Sequence, residues 1–415
     1  MPPPVIRILG AEKAGTLLKR RAARMDEAEK TVRPILDDVR QRGDKAVLEY
    51  AKKFDGFDGK SLRVVPSMEG VTKDFRDAVR VAAKNIRAFA KLQLPRPLLK
   101  TLAPGLKAGQ IVRPIPAMAS YIPAGRYPLP STLLMTVIPA QVAKVPTICV
   151  TTPKPVPEIL AAAVMLGVEN VFAIGGAHAI AAFAYGTRTI PRVDRIVGPG
   201  NIYVAAAKKL LAGEVGIDFV AGPTEILIIA AEGNPKWIAA DMLAQAEHDT
   251  DASAILLTTS KALAAAVEAE LDWQLEYLPT APTAREALRK NSAILIVESL
   301  DEAVELSNRF APEHLSLHHP ELLPGIVNAG GIFLGPFSPE AAGDYAAGPS
   351  HVLPTGGAAR LRGGLSSADF VKTIATQSLT ASALDRLTFS IATLARAEGL
   401  EAHARSVEVR RDDDD

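Results

Sequence analysis

The chain has 415 residues, of which 48% are hydrophobic and 22% are charged, and its formal net charge is +1. This length and composition are typical of a globular enzyme with roughly two to four domains. The near balance of acidic and basic residues argues against binding to nucleic acid or to a membrane surface through bulk charge. The single cysteine, Cys149, excludes an internal disulfide and a zinc site made of cysteines alone. It lies in an apolar run, so we interpret it as a buried structural thiol.

The sequence predicts neither a signal peptide nor a membrane-spanning segment. The first residues, MPPPVIRIL, lack the basic and apolar regions of a signal peptide. No stretch of the sequence is apolar over the length needed to span a bilayer. We therefore expect a cytoplasmic protein that does not bind membranes, and we expect the terminal RRDDDD to be a solvated tail.

Amphipathic helices are predicted for the first hundred residues. Residues 25–54 carry apolar side chains at helical spacing, with interruptions near Pro34 and Gly43, and residues 71–93 carry a second such pattern. This periodicity predicts helices that pack one face on a core.

Short apolar runs alternate with helical stretches from about residue 118 onward. The runs PTICVTT, NVFAIGG, VDRIVGPG and TEILIIA are rich in β-branched residues, and SAILLTTS and AILIVES continue the series. Strands and helices that alternate at this spacing predict βαβ units and parallel sheets. We therefore expect an α/β fold with two related halves, followed after the glycine-rich residues 356–370 by a separate helical tail.

Two glycine-containing turns follow predicted strands and open predicted helices. They are GGAH at residues 175–178 and GPGN at residues 198–201. Backbone N–H groups at such a position can bind an anion. Neither turn has the G-x-G-x-x-G spacing, so each fits a tight strand-to-helix turn equally well.

Side chains that suit metal binding or acid–base chemistry occur in three short stretches. Gln245 and His248 are three residues apart on a predicted helix and would share one face, and both an amide oxygen and an imidazole nitrogen can bind zinc. Their stretch, LAQAEHDTDA, also fits the ordinary polar end of a helix. Glu313 and His314 are adjacent and are common acid–base residues, and Asp344 is expected in a glycine-flanked loop.

Nine stretches, in order along the chain, together resemble the histidinol dehydrogenase family. They are YIPAGRYPLPSTLLMTVIPAQVA, AIGGAHAIAAFAYGT, TIPRVDRIVGPGNIYVAAAK, VAGPTEILIIA, LAQAEHD, APEHLSL, NAGGIFLG, AAGDYAAGPSHVLPTGGAARLRGGLSSADF and EGLEAHARSV. No single stretch is decisive, whereas nine in this order are specific and cover almost the whole chain. The resemblance implies a zinc-dependent, NAD-linked, four-electron oxidation of L-histidinol to L-histidine through an aldehyde.

The resemblance also implies a role for each matching residue. His314 would take the alcohol proton while hydride leaves for NAD, and Glu313 would activate the water that adds to the aldehyde. The implied zinc ligands are Gln245, His248, Asp344 and His403. The implied substrate contacts are Thr224, Glu398, His314 and the four zinc ligands. The implied cofactor contacts are Tyr121, His178 and Asn201.

The expected architecture is two incomplete Rossmann-like halves with parallel sheets, a helical N-terminal region and a helical C-terminal tail. After an N-terminal segment at residues 1–20, we expect a larger α/β domain with the zinc and catalytic residues at 21–120 and 223–364. The NAD-binding α/β domain is expected at 121–222. The tail at 365–415 is expected to be exchanged between the subunits of a homodimer, because the resemblance implies such a dimer and because GGAARLRGG would free the tail from its own core.

Three positions differ from the usual family pattern. The family usually has glutamine where His178 stands, serine where Thr224 stands, and Gly-Gly where YIPAG has Ala-Gly. One alternative is therefore an NAD- and zinc-dependent dehydrogenase of another small polar alcohol, such as a sulfonated diol. The other is a non-catalytic sensor of a metal or nucleotide on the same fold, although binding alone would not need both Glu313 and His314.

Overall fold

The fold is that of a computed structural model, which describes residues 5–18, 25–124, 128–220 and 222–410. Contacts between Cα atoms divide the chain into two units. The first contains Met1–Gln93 and Ile115–Phe370, and the second contains Leu94–Pro114 and Val371–Asp415.

Strands and helices alternate through most of the chain. The strands are β1 (Arg7–Gly10), β2 (Arg63–Val64), β3 (Leu98–Ala103), β4 (Leu106–Pro114), β5 (Ala117–Tyr121), β6 (Thr147–Thr151), β7 (Asn170–Phe172), β8 (Arg195–Val197), β9 (Gly216–Ile217), β10 (Glu225–Ile229), β11 (Ser253–Thr258), β12 (Ala293–Ile296), β13 (His314–Leu317), β14 (Gly331–Leu334) and β15 (Val371–Leu379). The α-helices are α1 (Ala14–Leu18), α2 (Met25–Arg42), α3 (Asp44–Tyr50), α4 (Lys73–Leu92), α5 (Pro130–Val142), α6 (Pro157–Met165), α7 (Gly176–Tyr185), α8 (Ile202–Leu211), α9 (Pro235–Ala246), α10 (Lys261–Leu275), α11 (Ala281–Asn291), α12 (Leu300–Phe310), α13 (Glu340–Tyr345), α14 (Ala381–Ala397) and α15 (Glu401–Glu408).

The first sheet consists of parallel strands in the order β1-β12-β11-β10-β13-β14. Strands β10 and β11 are buried along their whole length, because helices cover both faces. Ile226 and Ile228 pack in one cluster with α9, α10 and α11. Leu227 and Ile229 point to the opposite face and pack in another cluster with residues of α12. The apolar runs TEILIIA and SAILLTTS are therefore confirmed as strands of a parallel sheet.

The second sheet has the order β2-β7-β6-β5-β8-β9, and only the short β2 runs antiparallel to its neighbour. The chain runs from β5 through β6 to β7 and then crosses back to place β8 on the other side of β5. This reversal leaves a crevice at the carboxyl ends of β5 and β8, where open α/β sheets bind their ligands.

One face of the second sheet is covered by α2, α3, α7 and α8. The predicted division placed residues 25–50 in the larger domain, whereas their helices α2 and α3 pack on the second sheet. Cys149 lies in β6 and is buried, which confirms the sequence interpretation, and burial raises the pKa of its thiol to about 12. No helix among the described residues is long and apolar enough to cross a membrane.

The second unit contains an antiparallel sheet in the order β15-β4-β3, followed by helices α14 and α15. Strand β15 pairs with β4 along all nine of its residues. The expectation of a helical tail is therefore wrong for residues 371–379, and the mostly helical first hundred residues also contain the first half of the unpredicted strand β3. Both strands are largely exposed, so their sequences lack the regular alternation of apolar and polar residues that indicates a half-buried strand.

The glycine-rich residues 356–370 belong to the first unit. Leu365 and Phe370 are buried, and Arg360 donates to the carbonyl oxygen of Arg309. Gly356 and Gly357 have positive φ angles and form turns that let the chain pack. This segment therefore packs within the first unit, the second unit begins again at Val371, and the exchange of the tail stays a prediction.

Candidate active site

Glu313 and His314 lie where the chain leaves α12 and enters β13. Ala311 ends the helix in the left-handed conformation, with φ of 53°. His314 then starts β13 opposite Ile226 of β10, at the amino end of the first sheet. Glu313 is 6% exposed and His314 is 3% exposed, so the predicted acid–base pair is withdrawn from water.

The hydrogen bond of His314 defines which ring nitrogen can act as a base. Nδ1 lies 3.1 Å from the carbonyl oxygen of Glu225, and a carbonyl oxygen only accepts, so Nδ1 carries the proton. Nε2 is buried and has no hydrogen-bond partner among the described residues, with Asp344 Oδ1 3.8 Å away. Burial, together with the nearby imidazoles of His248 and His351, lowers the pKa of His314 to about 3. His314 is therefore a neutral imidazole whose Nε2 lone pair can accept a proton.

Glu313 is held by two donors on one oxygen. Its Oε2 accepts from the Glu225 N–H at 2.9 Å and from the Thr224 hydroxyl at 2.6 Å. Thr224 Oγ1 also lies 2.6 Å from the Gln245 amide. Thr224 thus links Glu313 to Gln245. The sequence predicted Thr224 only as a substrate contact and did not predict this link.

The structure brings His248, Glu340 and Asp344 together. Their ligand atoms all lie within 4.8 Å of one another, as around a single cation. Gln245 adjoins this group, because its amide lies 2.6 and 2.9 Å from the two oxygens of Glu340 when the nitrogen faces them. Two of the expected zinc ligands therefore occur in the group and a third contacts it.

Two of these side chains occupy elements that differ from the expectation. Asp344 was expected in a loop, whereas it lies in α13, four residues after Glu340, so that both carboxyl groups share one helix face. Helix α9 ends at Ala246, so His248 lies just beyond the helix that carries Gln245. The sequence analysis missed Glu340, and its only signal was this spacing from Asp344.

The donor set fits a borderline divalent cation such as zinc. It offers imidazole nitrogen, carboxylate oxygen and amide oxygen. Burial raises the pKa of Asp344 to about 7. Burial and the nearby carboxyl groups of Asp344, Glu313 and Asp241 raise the pKa of Glu340 well above its ordinary value. A cation would offset the repulsion among these acids, and the exposed side chain of His248 gives it a path from solvent.

His351 contacts the backbone of Asp344 in this group and was not among the predicted site residues. Its Nδ1 lies 2.8 Å from the carbonyl oxygen of Asp344, and its Nε2 lies 3.3 Å from Thr132 Oγ1 on α5. Burial lowers the pKa of His351 to about 4. The neutral ring therefore links α13 to a helix that packs on the second sheet.

Tyr121 and Asn201 lie on the two sides of the crevice in the second sheet. Tyr121 ends β5, and its hydroxyl oxygen accepts from the Gly176 N–H at 3.1 Å. Asn201 follows the end of β8 and caps α8, because its Oδ1 accepts from the N–H groups of Tyr203 and Val204, both at 3.1 Å. Burial raises the pKa of Tyr121 to about 12, so its phenol stays neutral.

His178 is buried beneath the same crevice. It is 1% exposed, and its Nε2 lies 2.9 Å from Asp55 Oδ2. The same oxygen accepts from the Gly175 N–H at 2.9 Å, and the rings of Tyr50 and Phe54 lie 6.0 and 6.3 Å from the imidazole. The sequence offered no indication of Asp55, because the two partners are 123 positions apart.

Glu398 and His403 belong to the second unit. Glu398 directly follows α14 and caps its carboxyl end, and His403 lies in α15. Both are exposed. Their roles as substrate contact and zinc ligand remain predictions.

Similarity to known proteins extends over nearly the whole chain. A family model described as histidinol dehydrogenase matches residues 18–411. The chain is 46% identical over 413 residues to the histidinol dehydrogenase of Bacillus cereus, with 96% of each chain covered. It is 48% identical over 416 residues to that of Thermus thermophilus, covering 97% of this chain and 100% of the relative. The crystal structure of histidinol dehydrogenase from Elizabethkingia anophelis matches with a TM-score of 0.94 and 36% identity, over 98% of both chains.

Proposed function

The chain belongs to the histidinol dehydrogenase family of NAD-dependent oxidoreductases acting on a CH–OH group, and we propose that it oxidises L-histidinol to L-histidine in histidine biosynthesis. The first oxidation converts the alcohol to an aldehyde, and the second converts the hydrated aldehyde to the carboxylate. Each transfers one hydride to NAD, so one histidinol consumes two NAD and one water. The observation that carries the proposal is the buried Glu313–His314 pair beside the group of metal-binding side chains.

His314 is the base for the alcohol. Its Nε2 carries a lone pair and lies 3.8 Å from Asp344 Oδ1, so an alcohol bound near Asp344 would meet this nitrogen. The lowered pKa keeps the ring neutral and ready to accept the alcohol proton as hydride leaves for NAD. The adjacent Phe333 ring, 5.9 Å away, helps to exclude water from the imidazole.

Glu313 is the base for the water that adds to the aldehyde. The Glu225 N–H and the Thr224 hydroxyl orient its carboxyl group beside His314. Glu313 would take a proton from water as the water oxygen bonds to the aldehyde carbon. Two neighbouring bases of different strength can thus serve the two proton transfers.

The proposed zinc ligands in the first unit are Gln245, His248 and Asp344. Bound Zn²⁺ would act as a Lewis acid that orients the amino alcohol and favours loss of its proton. Glu340 contacts the Gln245 amide and would orient it toward the metal.

NAD is proposed to bind in the crevice between β5 and β8, with Tyr121 and Asn201 as contacts. The position of the crevice at the reversal of strand order supports this assignment. His178 would support the cofactor site through Asp55 and the aromatic rings beside it, since it has almost no exposed surface of its own.

Glu398 and His403 are proposed to complete the active site of the other subunit in a homodimer with exchanged tails. Two features of the second unit favour contact with another subunit. Strand β3 is exposed along its whole length, and the buried core of α14 and α15 is small. His403 would then supply the fourth zinc ligand and Glu398 a substrate contact.

The number of NADH molecules formed per histidinol consumed tests the proposed reaction. Two NADH with histidine as the product would support it. Reduction of NAD by another small alcohol, such as a sulfonated diol, but not by histidinol would assign the site to that substrate. No reduction with either alcohol would favour a sensor that binds metal or nucleotide without catalysis.

A further inference from the structure

We propose that the buried ion pair of Lys208 and Asp218 positions the cofactor loop, residues 198–201, and thereby sets the affinity for NAD. The inference rests on the proposed NAD site, because this loop ends at Asn201. Neither member of the pair belongs to the residues that the sequence indicated.

Both backbone polar groups of Gly198 bond to this ion pair. Its N–H donates to Asp218 Oδ2 at 2.7 Å, and its carbonyl oxygen accepts from Lys208 Nζ at 3.0 Å. Lys208 Nζ contacts Asp218 Oδ1, which also accepts from the Phe219 N–H at 2.7 Å. The first residue of the loop is thus held by charged groups, whose hydrogen bonds are stronger than those between neutral groups.

The ion pair is removed from water. Lys208 is 2% exposed and Asp218 is 4% exposed, and the Phe219 ring centroid lies 5.9 Å from Lys208 Nζ. A buried ion pair adds little net stability compared with apolar residues of similar size, because desolvation offsets the attraction. The geometry imposed on Gly198 is therefore the better explanation for this pair.

Gly198 lies so close to the neighbouring strand that no side chain would fit between them. Its φ of 112° lies in the region that favours glycine, and a Cβ atom would lie 2.2 Å from the carbonyl oxygen of Tyr121. Strand β5 therefore limits Gly198 on one side and the ion pair holds it on the other. Because Asn201 follows three residues later and caps α8, the position of Gly198 sets the separation of Tyr121 and Asn201 across the crevice.

Arg362 fixes the segment that carries Asp218. It donates to the carbonyl oxygen of Asp218 and to Asp369 Oδ1, the latter at 2.8 Å. Its guanidinium lies 5.7 Å from the centroid of the Phe219 ring. The ion pair is thus anchored independently of any ligand, and a loop held in shape before binding reduces the entropy lost when NAD binds.

The Lys208→Met variant tests this role, and Lys209→Met is the matched control. Lys209 is the next residue of α8, and its Nζ pairs with Glu29 at the surface. In the full-length protein without substrate, Lys208→Met should bind NAD about tenfold more weakly or worse. The KM for NAD should rise by the same factor, while the KM for histidinol stays within about twofold. Amide hydrogen exchange should rise at residues 198–204, and the control should match the wild type in each measurement.

The double variant Lys208→Met with Asp218→Asn removes the charge that the single variant leaves unpaired. It should fold, with NAD binding still about tenfold weaker. Wild-type affinity for NAD in either folded variant, or an equal rise in both KM values, would overturn the proposal. Failure of the double variant to fold would also overturn it, because the pair would then serve stability.

Asn201→Ala separates this proposal from the cofactor site on which it rests. If NAD binding is unchanged by Asn201→Ala, the proposed site is wrong and the role of the ion pair falls with it. If NAD binding weakens in Asn201→Ala but not in Lys208→Met, the site stands and only the ion-pair proposal fails.

Discussion

Replacing Glu313 with glutamine should separate the two oxidations. The change exchanges a carboxylate for an amide of the same size, at a position where Oε2 accepts from the Glu225 N–H and the Thr224 hydroxyl. The amide oxygen can keep the bond from Glu225, and the Thr224 hydroxyl can turn toward Gln245. We therefore expect Glu313→Gln to fold, with a loss of about 1 kcal/mol of stability from exchanging a charged acceptor for a neutral one.

The effect on catalysis should depend on the substrate. An amide cannot take a proton from water, and loss of a general base costs about 10²- to 10⁴-fold in rate, or roughly 3–5 kcal/mol of activation free energy. Only the aldehyde step needs an activated water. The alcohol step relies on His314 Nε2, and the hydrogen bond from His314 Nδ1 to the Glu225 carbonyl is unchanged. Aldehyde oxidation should therefore fall by about 10²-fold or more, and alcohol oxidation by less than about tenfold.

Initial rates of NADH formation, measured separately with histidinol and histidinal, test this expectation. With histidinol, Glu313→Gln should release close to one NADH per substrate while the aldehyde accumulates. Glu321→Gln is a suitable control, because this side chain is 68% exposed and lies beyond the end of β13. Equal losses on the two substrates would refute the division of labour between Glu313 and His314.

The metal, the buried His351 and the tail provide three further predictions. A chelator should abolish oxidation of the substrate, and added zinc should restore it. The His248→Ala variant should contain less zinc per chain than the wild type and should still unfold cooperatively. Full activity of metal-free protein would contradict the proposed zinc site. Burial lowers the pKa of His351 from 6.5 to about 4, so the unfolded chain binds a proton at this residue more readily than the folded chain does. The contribution of the neutral His351 to the free energy of unfolding is therefore fully present above pH 6.5. This contribution falls by up to about 3 kcal/mol as the pH decreases toward 4. The free energy of unfolding of the wild type should therefore decrease more steeply than that of His351→Asn between pH 6.5 and 4, and parallel curves would speak against it. Mixing His403→Ala with Glu313→Gln under conditions of subunit exchange should recover roughly a quarter of the wild-type rate of histidine formation, the product that both single variants are expected to lose. About half of the dimers are then mixed, and each has one intact site. Confirmed exchange without recovery of histidine formation would rule out a shared site.

The sequence by itself determined the parallel sheets. Runs such as TEILIIA and SAILLTTS became β10 and β11, which are buried on both faces and therefore require continuous apolar character. The reversal of strand order in each sheet was not visible in these runs. Strands β4 and β15 were not predicted. They are distant in the chain and pair through backbone hydrogen bonds, which leave no pattern in the side chains.

Only the tertiary structure decided how the polar residues are used. Glu313 and His314 were identifiable from adjacent letters, yet the proton on His314 Nδ1 is assigned by the carbonyl of Glu225, which is 89 positions away. The only local signal of Glu340 was its spacing from Asp344, and Asp55 and Lys208 had none, since a single acid or lysine usually faces solvent. Their partners come from other elements, and their burial depends on how those elements pack. Local periodicity encodes which face of a segment is apolar, whereas proton affinity and hydrogen bonding depend on the groups that the whole fold brings within a few ångströms.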